Sequence, residues 1–342
     1  MRIPEKELVS LEIYQEASHI DPLGLDDIFK LLPDINRAAD TDALRDTLND
    51  SVLQLTGGKL NTTASLAALR DLDFLASSYV RHGRNPIEEI VGLEDAFIQL
   101  GDNVGTVPRG TVATYALANP TGERERSFTG EPEETLFIEA VRNTSLVLES
   151  SLKDFIRTDA TTALKGFDEN LDIAISSIVL VMRALPPEYF TNEMRPYFDP
   201  LIIDGKKYLG AGGAQLQFVA FDYILWGATE TNERYQKYLH ENYAYLTPSQ
   251  KESIALIMEK YENTPIIEHF AMSEDKVAAK AALGALQKMK KFRYPHRKLA
   301  QDNFKVRRPG QVGSGAYTTD ILDVLLERTE MAIKVTEEII AS

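Results

Sequence analysis

Helical periodicity runs through most of this chain, and very little of it alternates with the period of two that a strand requires. Leu171, Ile175, Ile178, Met182 and Leu185 recur at steps of four and three, which sets them on one face of a helix. Thr247-Pro248-Ser249-Gln250 supplies a capping hydroxyl, a proline suited to the first helical position and a glutamine able to reach back, so a helix is predicted to start there. Ser273-Glu274-Asp275 is predicted to open another, its acids favoured at the positive end of the helix dipole. From Thr319 a last helix is expected, with Ile321, Leu322, Leu325 and Leu326 on its apolar side. The clearest strand signal is LIIDGKKY, residues 201–208, where Asp204-Gly205 suits a two-residue hairpin turn. The expected fold is therefore mostly α with one short β-hairpin. Clusters of Gly, Pro and polar residues predict loops at 83–86, 119–130 and 307–315. A boundary near 120–130 would divide a smaller N-terminal helical part, 1–125, from a larger one, 126–342, unless the chain is a single domain.

Composition narrows the chemistry. No run approaches ~18 consecutive apolar residues, so no membrane span is expected. The first residues carry charges where an export signal needs an apolar stretch, and a cytoplasmic location is expected. The chain has no cysteine, which removes disulfides, thiolate nucleophiles, iron–sulfur clusters and Cys-ligated zinc or haem. A net charge of -15 repels phosphate backbones, so no nucleic-acid partner is expected. The one basic stretch, 288–308, reads as a solvated helix face or, better, as basic residues around a site for an anionic ligand.

With no cysteine, the five histidines decide most of the site chemistry. His19, His82, His240 and His269 fall at turns or in polar stretches, and none pairs with another at zinc-ligand spacing. His296 differs. Ala285, Met289, Phe292, His296, Leu299 and Asn303 alternate by four and three, so its imidazole shares a face with an apolar stripe, and Pro295 should kink that helix. On spacing alone a hydrogen-bonded core histidine is the better reading. One histidine on an apolar wall is nevertheless all that a five-coordinate haem asks of its proximal side. Two further segments bear on this. LGAGGAQ, residues 209–215, sets three glycines before an apolar helix, allowing a flat ligand close to the backbone or serving only as a flexible helix entry. Asp222 then sits among Val219, Phe221, Ile224, Leu225 and Trp226, where a carboxylate needs a cationic or N–H partner. Gly313-Ser314-Gly315 reads as a loop able to fold over the same site.

The chain resembles the indoleamine/tryptophan dioxygenase superfamily, and within it the monodechloroaminopyrrolnitrin synthase family. The stretches that carry the resemblance are DPLGLDDIFKLLPDINR, RHGRNPIEEIVGLE, ALANPTGERERSFTGEPEE with FIEAVRNTS, EMRPYFDPLIIDGKKYLGAGGAQ, ILWG, FRYPHRKLA and VGSGAY, in this order from about residue 21 to 325. The resemblance implies a haem-binding helical bundle with His296 as the proximal ligand of haem b iron and Asp222 as an acid behind that ligand. It implies Arg195 against a substrate carboxylate, Phe190 on an aromatic pocket wall, Gly212 and Gly213 at the haem edge, and Ser314 in a loop over the amino-acid end of the substrate. Phe304 departs from this pattern, standing about where the monodechloroaminopyrrolnitrin synthase family carries a tyrosine. The implied function is a haem-dependent oxygenase that brings dioxygen to tryptophan or a substituted tryptophan, by C2–C3 dioxygenation or oxidative rearrangement in specialised metabolism. A haem-binding sensor or carrier without turnover, or a helical interaction protein without cofactor, are the alternatives.

Overall fold

The computed structural model describes residues 11–211, 216–307 and 317–342. The helices are α1 (Leu11–His19), α2 (Asp26–Ala38), α3 (Thr41–Leu55), α4 (Thr62–Arg81), α5 (Pro86–Glu89), α6 (Leu93–Val104), α7 (Pro132–Arg157), α8 (Ala160–Ala184), α9 (Pro187–Tyr189), α10 (Leu216–Leu225), α11 (Glu233–Tyr243), α12 (Pro248–Lys260), α13 (Ile266–Ser273), α14 (Lys276–Val306) and α15 (Asp320–Ala341). Among the described residues the only sheet is the hairpin of β1 (Leu201–Ile203) and β2 (Lys206–Tyr208), so the mostly-α expectation holds. Its register pairs Leu201 with Tyr208 and Ile203 with Lys206. Asp204 and Gly205 both take left-handed backbone (φ 50° and 66°), as a two-residue turn that follows strand twist demands. No single described helix is long and apolar enough to cross a membrane.

The described residues group into two compact units. The first lies within Met1–Glu139, Pro187–Gly213 and Arg307–Ala316; the second within Ala140–Pro186, Ala214–Val306 and Tyr317–Ser342.

In the first unit, α4 is the central element. Asn61 caps it by accepting from the Ala64 N–H at 2.8 Å, and every side chain from Ser65 to Tyr79 is buried. A helix buried all round is usually apolar all round. This one carries Arg70, Asp71 and Asp73 inside, so each charge needs a partner to offset lost hydration. Arg70 meets Asp71 at 2.6 Å and donates to the Ala17 and Ala118 carbonyls. Arg126 bridges Asp71 at 3.2 Å to Asp26 at 2.6 Å. Arg109 pairs with Asp73 at 3.0 Å and donates to the Tyr208 carbonyl, which fastens β2 to α4. Beside these charges runs a stack of rings: Phe74 on Phe128 at 4.5 Å, and Phe128 on Tyr197 at 4.4 Å.

In the second unit, α14 packs along α8 and α15. Ala278, Ala279, Ala282 and Ala285 are fully buried, and such small side chains let helix axes approach closely. The core runs on through Phe167, stacked on Phe221 of α10 at 3.9 Å between centroids. The predicted start of α12 forms a capping box: Thr247 Oγ1 accepts from the Gln250 N–H, and Gln250 Oε1 accepts from the Thr247 N–H. The side-chain amide of Gln250 then donates to Glu149, a buried carboxylate on α7, at 2.9 Å. A helix does open from Ser273-Glu274-Asp275, with Asp275 as the residue that caps it. Ser273 closes α13, Glu274 turns left-handed (φ 53°), and Asp275 caps α14 by accepting from the Val277 and Ala278 N–H groups.

Candidate functional site

His296 lies in the last third of α14, which continues as helix through Pro295. Ala285, Met289 and Phe292 below it are buried, as the four–three spacing requires, and the Phe292 ring lies 5.9 Å from the imidazole. The imidazole itself is half-buried and has no hydrogen-bond partner among the described residues. Burial first, and the Arg293 charge second, hold its pKa down to about 4. The ring is therefore neutral at physiological pH and carries the lone pair that a metal ligand must offer. Among the described residues no protein hydrogen bond satisfies this ring in the way that a hydrogen-bonded core histidine, the better reading on spacing alone, would require.

Asp222, on α10, is 1% exposed. Its partner is Arg293, one helical turn before His296, whose Nη2 reaches both carboxylate oxygens at 2.5 Å. The other guanidinium nitrogen, Nη1, donates to the Leu325 carbonyl at 3.1 Å and to Thr329 Oγ1 on α15. No hydrogen bond links Asp222 to the His296 ring among the described residues. The Asp222 carboxylate thus acts on Arg293 directly. Burial raises the Asp222 carboxyl above its ordinary value, and the Arg293 charge and hydrogen bonds oppose that rise without cancelling it. Trp226 covers the same guanidinium, 5.6 Å from its ring centroid. Arg293 escaped the sequence reading. The demand of Asp222 for a cation, and an arginine one turn from His296, were the available signals.

Arg195 and Phe190 belong to the first unit. Phe190–Met194 is a π-helical turn and Arg195–Phe198 a 3₁₀ turn, and the Arg195 N–H donates to the Phe190 carbonyl five residues back. Such π-turns recur at functional sites. Arg195 is buried, and its guanidinium meets Asp199 at 2.5 Å. Arg195 thus has a protein partner in Asp199 although it does not lie at the surface. Phe190 packs on Phe137, 5.9 Å between centroids. Gly212, Gly213 and Ser314 lie outside the described residues. The neighbouring Gly210 does make a close approach, to the chain's own backbone: a Cβ there would lie 2.7 Å from the Phe198 carbonyl oxygen.

The basic stretch 288–308 is largely matched by acids of its own unit. Lys288 meets Asp168 and Asp172, Lys290 meets Glu330, Arg297 meets Asp323, and Lys298 and Lys305 meet Asp302. These pairings cancel much of the positive potential expected of that stretch. Among the described residues no three His, Asp or Glu side chains converge as a metal-binding group. A family model described as monodechloroaminopyrrolnitrin synthase PrnB matches residues 39–341, nearly the whole chain.

Proposed function

Because the chain belongs to the monodechloroaminopyrrolnitrin synthase family, enzymes of tryptophan-derived antibiotic biosynthesis, we propose that it is a haem-dependent oxygenase of tryptophan or a substituted tryptophan. The observation that carries this reading is His296: a neutral, half-buried imidazole at the end of an apolar stripe, with no protein hydrogen bond among the described residues. That ring would hold haem b iron through its free lone pair, and a bound haem would supply dioxygen binding and redox chemistry. Arg195 takes the amino-acid carboxylate and Phe190 packs the indole ring. Ser314 at the amino-acid end and Gly212 and Gly213 at the haem edge, all three outside the described residues, are the roles that the family resemblance would add. The protein's own work is to orient the substrate and to exclude water. The outcome is C2–C3 dioxygenation or, as the family name favours, an oxidative rearrangement.

Ferric protein reconstituted with haem should show an intense band near the blue edge of the visible spectrum, and His296→Ala should bind haem far below one equivalent while keeping its melting temperature. Added imidazole should partly restore the band. Full haem content in the alanine variant would end the assignment of His296. Oxygen uptake by the ferrous protein should depend on tryptophan or a ring-substituted tryptophan. Haem binding with no such uptake would leave a sensor or carrier in place of the enzyme.

A further inference from the structure

Glu134, on the first turn of α7, is fully buried, and no ion-pair partner is found for it among the described residues. Five hydrogen bonds hold it instead: from Tyr115 Oη, Ser127 Oγ, the Phe128 and Thr129 N–H groups, and Thr129 Oγ1 at 2.7 Å. A buried carboxylate met by so many donors is a fixed anchor. The Thr129 hydroxyl also lies 2.7 Å from Tyr189 Oη, a contact whose direction the positions of the oxygens alone leave open. The chemistry decides it. Thr129 has one hydroxyl proton, and the Glu134 carboxylate accepts it. Tyr189 must therefore be the donor to Thr129. Burial pushes the Tyr189 phenol up, so it keeps the proton it donates.

Tyr189 immediately precedes the π-turn that begins at Phe190. Phe137, three residues after Glu134 on the same helix, packs on Phe190. One turn of α7 thus holds the segment twice, once by a hydrogen-bond chain and once by a ring. A π-turn opens an extra residue into the helical ladder and persists only where its surroundings enforce it. We infer that Tyr189 is a positioning residue: through Thr129 and Glu134 it pins the π-turn that presents Phe190 and Arg195. Its hydroxyl, not its ring, does this. The consequence for substrate binding rests on the role proposed above for Arg195.

The test is hydrogen exchange of the peptide spanning 187–199 in the haem-free and haem-loaded full chain. Tyr189→Phe removes one hydroxyl and keeps the ring. It should speed exchange of that peptide roughly three- to tenfold, the net worth of one hydrogen bond, while peptides of α4 stay unchanged. Thr129→Val should do the same, and Thr129→Ser, which keeps the hydroxyl, should restore protection. Unchanged exchange in Tyr189→Phe, or Thr129→Val and Thr129→Ser behaving alike, overturns the pin. Faster exchange together with weaker binding of tryptophan than of tryptamine supports both the pin and the Arg195 reading. Faster exchange with no change in that preference supports the pin and overturns only the carboxylate role of Arg195.

Discussion

Arg293 grips both carboxylate oxygens of Asp222 with a single nitrogen, 2.5 Å from each, in a core where both side chains are buried. Removing one member of such a pair strands the other as a buried charge, which costs about 3–5 kcal/mol, whereas apolar replacement of both is often near neutral. Asp222→Leu and Arg293→Met should therefore each destabilise strongly, and the double variant should be more stable than either single one. Chemical denaturation of the four proteins measures this directly. Additive losses would mean that the two groups stabilise the fold independently.

Much of the frame could be read from local pattern. The hairpin at Asp204-Gly205 and the capping box at Thr247 depend on neighbours within four residues, and both form as expected. Asp222 was legible as a carboxylate in need of a cation, but its partner lies 71 residues away, and no periodicity links positions that far apart. The same holds for Arg126, which reaches Asp71 across 55 residues, and for Arg109 with Asp73. As residue types these arginines look like ordinary surface charges. The helix opening at Ser273-Glu274-Asp275 was legible, but which of the three caps it was not, because a serine that ends one helix and a serine that caps the next look alike. Only the left-handed Glu274 between the helices separates them. The π-turn at Phe190 leaves no mark on the spacing, although the five-residue interval between Phe190 and Arg195 is the span of its hydrogen bond.

Gly110 tests the arginine network of the first unit. A Cβ at this position would lie 2.4 Å from Asp73 Oδ2 and 2.5 Å from its Cγ, so Asp73 would have to move off Arg109. Gly110→Ala should then cost about 3–5 kcal/mol, the penalty of a broken buried pair. Gly58→Ala, where nothing lies within 4 Å of the added Cβ, should change the melting temperature little. Equal melting of the two variants would show that Asp73 can shift without loss.

Glu149 gives a pH dependence. Burial raises its carboxyl above the ordinary 4.5, against the opposing hydrogen bonds of Gln250 and Gln217. The folded chain therefore holds this proton more tightly than the unfolded one. Its contribution to stability is complete below the unfolded value and is lost as pH rises through the higher folded value. Glu149→Gln, which cannot titrate, should gain stability relative to the parent protein on going from acid to neutral pH. Parallel stability curves for the two proteins over that range would refute the burial argument.

Arg195 carries the assignment of substrate class. An amino-acid carboxylate entering an apolar pocket loses hydration, and a guanidinium can replace it with two parallel N–H donors at a charge fixed over any working pH. Charge-assisted bonds of this kind contribute about 1.5–3 kcal/mol each. At 1.4 kcal/mol per tenfold, losing the pair should raise the dissociation constant of tryptophan roughly ten- to a thousandfold. Asp199 complicates the reading in a useful way. It already meets Arg195 at 2.5 Å, and its own side chain is half exposed, so an arriving carboxylate competes with it for the same guanidinium. Removing that competitor by Asp199→Asn should tighten tryptophan binding, while Arg195→Leu should weaken it and spare the decarboxylated amine. A purely structural pair behaves differently: both substitutions would then lower the melting temperature and leave the ratio of acid to amine affinity where it was. Spectral titration of the haem-loaded protein with tryptophan and with tryptamine separates the two cases, because the carboxylate role requires the ratio to move in opposite directions in the two variants.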